Sequence, residues 1–492
     1  MLLSFLFEQI EKTEYKCARP DRDVTHITSN SRLVTEGSVF VCIKGFTVDG
    51  HNFAVQAYEL GCRAFVASAP LSLPDDADVL ITPDTRRALA LLSCRLYGEP
   101  SKSMHVIGIT GTKGKTTTAL IIKQLLDMSG IPTGYIGSNG ILFKGCKIET
   151  QNTTPESNII QYHLKEMKDR GVEAVVIEVS SQALYLDRVL GINFDVEIFT
   201  NLSLDHVGKN EHASFEEYML AKKKLFDLYP ANLVIANADD PHTPAVLKDS
   251  NSKKLFFSID NASDLRASDI ELYRDENILG VSFCASTGED KIKYTIPIPG
   301  EFNVHNALAA ILVARYLGID EQSIADSLSK ISISGRFETI VKKGGACFVI
   351  DYAHNGVSLA SALKALRAYE PTRLICLFGS VGGRTQIRRA QLGKAASEFA
   401  DFSILTSDNP DTENPIDIIN DIALHFSDPD SFVSIPDRRE AIEYAVDMAC
   451  SGDIVLLAGK GHEKYQTVNG NKLYFCEREI IEDCINKIKL FK

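Results

Sequence analysis

Residues 108–117 read Gly-Ile-Thr-Gly-Thr-Lys-Gly-Lys-Thr-Thr and stand between an apolar run, His105 to Ile109, and a helical pattern from about Thr116 to Met128. A glycine-rich turn from a strand into a helix commits this stretch to an α/β sheet. Glycines let backbone N–H groups turn toward phosphate oxygens, and the helix N-terminus adds a partial positive charge. Lys115 can supply a cation to the β- and γ-phosphates, and Thr116 can reach Mg²⁺. Ile109 occupies the place of the first glycine in the strict phosphate-loop pattern. Further on, Ala174 to Ile177 is patterned as a buried strand with Glu178 at its end, placed to hold Mg²⁺. An Asp205-His206 pair follows, which by itself reads equally as a helix cap. Lys222, Lys223 and Lys224 lie in a helical pattern, where three lysines ordinarily form a solvated face.

At 492 residues the chain is too long for one compact domain, and about 150 residues per domain suggests three. The patterning places boundaries at 1–100, 101–333 and 334–492. With 52 Lys and Arg against 65 Asp and Glu, the net charge is −13. An acidic chain argues against broad nucleic-acid binding, which needs a basic footprint. The eleven cysteines form no CxxC pair and fit a reducing cytoplasm. No uncharged run approaches the roughly 18 residues of a membrane span.

The last third alternates apolar runs with helical patterns. The runs are Ala346–Ile350, Leu374–Phe378, Phe402–Leu405 and Ile454–Ala458. They are followed by Asp351-Tyr352-Ala353-His354, Gly379 to Arg384, Asp408-Asn409-Pro410 and Gly459-Lys460-Gly461-His462-Glu463. Ligands collect at the carboxyl ends of parallel strands. Four such ends on one sheet edge describe a site.

These motifs together resemble the Mur ligases. Gly111 to Thr117 is similar to the Gly-Thr-Asn-Gly-Lys-Thr-Thr loop of that family, with Lys113 in place of Asn. Glu178 to Ser181, Asn201 to His206, Ala221-Lys222, Asn303-x-x-Asn306, Gly335 to Glu338, Asp351 to His354 and Gly459 to Glu463 follow in family order. Within the family the chain looks most like the tripeptide-forming synthetases, through Asn152-Thr153-Thr154-Pro155 and the motifs at Asp408 and Gly459.

The resemblance implies three α/β domains: an N-terminal domain for a uridine nucleotide, a central phosphate-loop domain and a Rossmann-like C-terminal domain for an amino acid. It implies a cytoplasmic, ATP- and Mg²⁺-dependent ligase of peptidoglycan synthesis, expected to act as a monomer. Its substrate would be UDP-N-acetylmuramoyl-L-alanyl-D-glutamate. By resemblance, Gly111, Thr112, Lys113, Gly114, Lys115, Thr116, Thr117, Asn303, Asn306, Arg336 and Asp351 bind ATP. Thr116, Glu178, His206 and a carbamylated Lys222 lie at the metal sites, and Lys115, Lys222, His206 and Glu178 serve the chemistry. Ser29, Ser31, Phe46, Thr47, Val48, Asn152, Thr153, Thr154, Ser180 and Arg188 match positions that hold the UDP-linked acceptor. Arg384, Asp408, Asn409, Pro410, Asp411, Gly459 and Glu463 match amino-acid-binding positions.

Enzymes of this type that add meso-diaminopimelate carry Asp-Asn-Pro-Arg, and here the fourth residue is Asp411. An acid there would repel a distal carboxylate and attract an ammonium, which favours L-lysine or another diamino acid. Gln182, Leu186, Thr385 and the stretch after His206 also depart from the usual pattern. The alternatives are a meso-diaminopimelate-adding enzyme, a related Mur or folylpolyglutamate-type ligase and, in a different class, a phosphate-loop ATPase that joins nothing.

Overall fold

The computed structural model describes residues 1–8, 10–204, 212–275, 278–287, 290–343 and 345–490. The phosphate-loop strand spans His105–Thr110 and its helix Lys115–Met128. Strands Leu374–Phe378, Phe402–Leu405 and Ile454–Ala458 fall where the apolar runs place them, and Ala346–Asp351 extends one residue further. The stretch before the last third forms two helices, Phe302–Tyr316 and Glu321–Leu328. The chain breaks between them at Gly318, whose φ is +79°, and Asp320 then caps the second helix through Ser323 N. Among the described residues, no helix is long and apolar enough to cross a membrane.

The chain folds as two compact units. The first comprises 1–264 with 312–317, and the second 265–311 with 318–492. The first unit holds a five-stranded sheet in the order Glu14–Lys16, Asp78–Ile81, Ala64–Ala67, Ser38–Val41, His26–Thr28, antiparallel only at its first pair. It also holds the phosphate-loop sheet. Six parallel strands run Lys253–Ser258, Leu233–Asn237, Val196–Phe199, His105–Thr110, Ala174–Glu178, Thr133–Gly137. Two antiparallel strands, Gly140–Phe143 and Cys146–Ile148, finish that edge. The phosphate-loop strand is thus interior, flanked by strands that lie later in the chain on either side. Such a reversal of strand order opens a crevice at the carboxyl ends.

Apolar residues hold these strands in place. The phosphate-loop helix buries Ala119, Ile122 and Leu126 at spacings of three and four. Burial of each large side chain contributes about 1.5–3 kcal/mol, so Leu126→Ala would cost about 2–5 kcal/mol.

The second unit contains an antiparallel trio, Leu265–Arg274, Leu279–Thr287 and Asp290–Ile296. It also contains a six-stranded sheet ordered Glu338–Lys343, Ala346–Asp351, Ile454–Ala458, Leu374–Phe378, Phe402–Leu405, Phe432–Ser434. Only Glu338–Lys343 is antiparallel. The register sets Asp351 beside Ala458 and Phe378 beside Leu405. The polar and glycine-rich sequences that follow these four strands therefore share one sheet edge. The hairpin Tyr465–Val468/Asn471–Tyr474 follows the last of them.

Candidate active site

In the first unit the loop Gly111–Gly114 is a turn whose carbonyls and amides are tied from several sides. Gly111 has φ +150°, and a Cβ there would fall 1.9 Å from Thr200 Oγ1, so no side chain fits. Asn201 pairs with Lys113 at two points, accepting from its N–H at 2.9 Å and donating to its carbonyl at 3.0 Å. Thr200 Oγ1 donates to the same carbonyl at 2.8 Å. The Lys115 ammonium donates to Gly111 O at 2.8 Å and Thr112 O at 3.1 Å.

Lys222 stands apart from its neighbours on the helix Phe215–Leu228. Ser214 caps that helix by accepting from Glu217 N at 3.1 Å. Tyr218, Lys222 and Leu225 then fall on one buried stripe. Lys223 is ion-paired to Asp227 and Asp249, and Lys224 lies over the Tyr185 ring. Lys222 is only 1% exposed and donates to Gly111 O at 2.8 Å. Two ammonium groups, on Lys115 and Lys222, thus converge on one carbonyl oxygen. Tyr218 lies under the Lys222 ammonium and donates to Thr112 Oγ1 at 3.1 Å.

Glu178 is fully buried at the end of its strand. Its carboxylate accepts from Thr116 Oγ1 at 2.9 Å, from Ser138 N at 3.0 Å and from the Tyr135 hydroxyl. Ser138 Oγ bridges at 3.0 Å to Thr153 Oγ1. Thr154 Oγ1 donates to Glu178 O at 2.7 Å, and Ser180 N donates to Thr154 Oγ1 at 3.0 Å. Arg188 is buried; one terminal nitrogen donates to Thr154 O at 3.1 Å and the other pairs with Glu156 at 2.8 Å. Thr153, Thr154, Ser180 and Arg188 are therefore gathered beside Glu178 and Thr116. His206 lies outside the described residues. His212, buried on the same side, contacts Ser181 Oγ at 2.9 Å and stacks against Tyr218.

The remaining acceptor-side residues sit on the N-terminal sheet or on loops. Ser29 follows the strand His26–Thr28, and Ser31 donates to Gln56 at 3.3 Å. Asn158 reaches Ile27 O at 3.2 Å, which ties that strand to the helix following Thr154. Phe46, Thr47 and Val48 are exposed on a tight turn closed by Gly45 N to Val48 O. Asn152 is exposed, and its carbonyl accepts from Thr150.

The second unit carries the other cluster. Asp351 is buried and accepts from Phe337 N at 3.0 Å and Ala353 N at 2.9 Å. Burial pushes its carboxyl up, against the pull of Arg336. The Arg336 guanidinium lies over the Tyr352 ring, and among the described residues its buried Nε has no hydrogen-bond partner. Asn306 donates to Asn303 Oδ1 at 2.8 Å, and Asn303 donates to Pro299 O at 2.7 Å. Arg384 is exposed. Arg388, one turn on, is bonded through Nε to His354 O at 3.1 Å, and burial together with the Arg384 charge lowers its pKa.

Asp408 and Glu463 already share a cation. The Lys460 ammonium, 0% exposed, lies 3.3 Å from Glu463 Oε2, 3.7 Å from Asp408 Oδ1 and 3.0 Å from Asn409 Oδ1. Asn409 also donates to Glu463 at 3.0 Å. Two acids around one lysine leave the cluster with a formal charge of −1. Asp411 is tied to the hairpin that follows the last strand. Its φ is +53°, and its carboxylate accepts from Gly470 N at 2.7 Å, in the turn of the hairpin. A short acidic side chain suits this left-handed position.

Sequence reasoning passed over Tyr135, Ser138, Tyr218, His212, Lys460 and Arg388. Tyr218 was accessible as the residue four before Lys222 on the same helix face. Lys460 lay inside a quoted motif. Tyr135 and Ser138 carried no local signal, because pairing of the strand Thr133–Gly137 with Ala174–Glu178 brings them to Glu178.

Comparison with known proteins covers the chain in three blocks. Residues 109–314 match the Mur ligase middle domain, 335–461 the Mur ligase glutamate ligase domain, and 23–96 the Mur ligase family catalytic domain. The chain is 39% identical over 492 residues to UDP-N-acetylmuramoyl-L-alanyl-D-glutamate--2,6-diaminopimelate ligase of Clostridium perfringens, covering 99% of both chains. It is also 39% identical to the enzyme of that name from Geobacillus thermodenitrificans, over 94% of this chain and 95% of the relative. A solved structure with the same name superposes with a TM-score of 0.71 at 28% identity, over 99% of this chain and 100% of the other. MurF from Acinetobacter baumannii shares the fold, with a TM-score of 0.65 at 19% identity over 98% of each chain.

Proposed function

The chain belongs to the Mur ligase family, and from that premise we propose that it adds the third amino acid to UDP-N-acetylmuramoyl-L-alanyl-D-glutamate in peptidoglycan synthesis. The observation that carries the reading is the presence of two complementary chemistries in one chain. One cluster converges cations on a phosphate loop, and another surrounds a buried lysine with two acids at four parallel strand ends. A carboxylate does not react with an amine unless it is activated. ATP transfers its γ-phosphoryl group to the γ-carboxylate of D-glutamate, which gives an acyl phosphate and ADP. The amine of the incoming amino acid attacks the acyl carbon and loses a proton, and phosphate leaves. Lys115 and the loop amides neutralise charge on the phosphoryl oxygens.

Thr116 Oγ1 and the Glu178 carboxylate, 2.9 Å apart, are hard oxygen donors of the kind Mg²⁺ takes. Among the described residues no three His, Cys, Asp or Glu gather. A site completed by phosphate oxygens fits that count, and His206 is proposed as a further ligand from the family resemblance. When bound, the ion draws charge from the transferring phosphoryl group. Lys222 is proposed to be carbamylated. Its convergence with Lys115 on one carbonyl is repulsive while both are cations, and a carbamate on Lys222 turns that repulsion into attraction.

Ser29, Ser31 and Phe46 to Val48 are proposed to hold the uridine end, and Asn152, Thr153, Thr154, Ser180 and Arg188 the muramoyl peptide. Gly111 to Thr117 with Asn303, Asn306, Arg336 and Asp351 would take ATP. Arg384, Asp408 to Asp411, Gly459 and Glu463 would take the amino acid. The boundaries 1–100, 101–333 and 334–492 remain our functional division. We place the protein in the cytoplasm, where its eleven free cysteines suit a reducing medium, and expect a monomer.

The third residue is a diamino acid, with L-lysine first because the residue after Pro410 is an acid. The names of the relatives above favour 2,6-diaminopimelate as the second reading. The test is purified protein with ATP, Mg²⁺ and the UDP-linked dipeptide, offered lysine, ornithine and meso-diaminopimelate in parallel. Amide product with lysine ahead of meso-diaminopimelate supports the first reading, and the reverse order the second. ATP hydrolysis with no amide product from any of them ends the ligase reading.

A further inference from the structure

Beneath the acidic cluster of the second unit lies a fully buried ion pair. Arg438, at the start of the helix Arg438–Met448, is 0% exposed in its side chain, and its partner Glu477 is 1% exposed. All three nitrogens of the guanidinium are used. Nε donates to Glu477 Oε1 at 2.9 Å, one terminal nitrogen to Ser407 O at 3.1 Å and the other to Ala458 O at 3.0 Å. Ser407 immediately precedes Asp408, and Ala458 immediately precedes Gly459. One planar fork therefore fixes the last peptide before each of two loops. Those loops come from the strands Phe402–Leu405 and Ile454–Ala458, which do not pair with each other, because Leu374–Phe378 lies between them.

Nothing else described in the unit spans that gap in the same way. Lys460 joins the two loops further out, through Asp408 and Asn409. Gln466 donates to Ser407 Oγ and Asp408 O, both at 2.8 Å, and holds the outer side. A buried ion pair is a poor source of net stability, since desolvation offsets the attraction. A planar five-donor fork is, however, suited to holding two carbonyls at fixed separation, more rigidly than a lysine's single ammonium on a flexible stem.

We propose that Arg438 is a positioning residue for the amino-acid site: it sets the distance between the Asp408–Pro410 loop and the Gly459–Glu463 loop, and Glu477 is the buried counter-charge that lets it sit there. This deepens the proposed function and rests on it. Loss of the fork lets the two loops drift. The incoming amino acid is then held less tightly, while sites that do not depend on these loops are unchanged.

The test uses the full chain and the ligase assay with whichever amino acid the unaltered protein prefers. The double variant Arg438→Met/Glu477→Leu removes both charges together and keeps the volume. Arg438→Lys keeps a charge for Glu477 but has no fork. Both are expected to fold, shown by an unchanged circular dichroism spectrum. Both are expected to raise KM for the amino acid about tenfold or more, with KM for ATP and for the UDP-linked dipeptide within about twofold of the parent. An unchanged amino-acid KM in either folded variant overturns the proposal. So does an equal rise in all three KM values, or failure of both variants to fold, because each assigns the pair to stability alone. A parent protein that forms no amide with any amino acid counts against the ligase reading, and it is measured before the variants are compared.

Discussion

The two clusters treat a buried lysine in opposite ways. Around the phosphate loop, the bonds from Lys115 and Lys222 described above run to peptide carbonyls. Carbonyl dipoles hold an ammonium in place without cancelling its charge. In the second unit, Lys460 is held by two carboxylates, and the surplus is negative. The first arrangement is set to receive an anion and the second an ammonium. The kind of group around each lysine, more than the lysine itself, distinguishes the two clusters.

The strongest test of that contrast is Lys115→Ala. It removes the cation that is held on the loop carbonyls, and kcat is expected to fall about 10³-fold with all substrates present. Phosphate release measures it, and a loss below about tenfold would break the comparison. Asp408→Asn makes the second cluster neutral. Its expected effect is a rise of about 10–100-fold in amino-acid KM at constant ATP KM, read from initial rates. A matching rise in ATP KM would show that the clusters are not separate in function.

A smaller change is expected from Asp411→Arg. It releases Gly470 N and puts a cation near the surplus acid, so KM for lysine should rise about tenfold in competition assays. Lys222 offers a qualitative check. Protein equilibrated with carbon-13 bicarbonate should show a carbamate signal by nuclear magnetic resonance, and Lys222→Ala should lack it.

The smallest catalytic effect is expected at Glu197, which contrasts with Glu477. Both are buried, but among the described residues neither Glu197 carboxylate oxygen has a partner, and burial pushes its pKa up to about 9. A folded pKa above the unfolded value of about 4.3 means that stability is full in acid and falls as pH rises toward 9. Glu197→Gln should melt close to the parent at pH 4 and increasingly above it by pH 8. Thermal melts across that range decide it.

Much of this was legible beforehand where the signal was local. The phosphate loop, Glu178 and the four strand ends each sit at a boundary between an apolar run and a polar turn. One strand length and one helix period suffice to place them. Lys222 was legible only through resemblance, because composition could not separate it from Lys223 and Lys224. Its distinction is the helix phase that the Ser214 cap sets. Tyr135, Arg438 and Glu477 were beyond local reading, since strand pairing and helix packing bring them to their partners from 43, 31 and 39 residues away. The setting of Asp411 was hidden for a related reason. Its charge could be seen in the sequence, but its bond to a turn 59 residues later could not.

That bond has an evolutionary corollary. A lineage that exchanged Asp411 for a long basic side chain would lose the clasp on Gly470 in the same step, and would have to keep a bulky residue in a backbone shape that suits Asp, Asn or Gly. A change of amino-acid preference at this position would therefore reach the hairpin turn as well as the site.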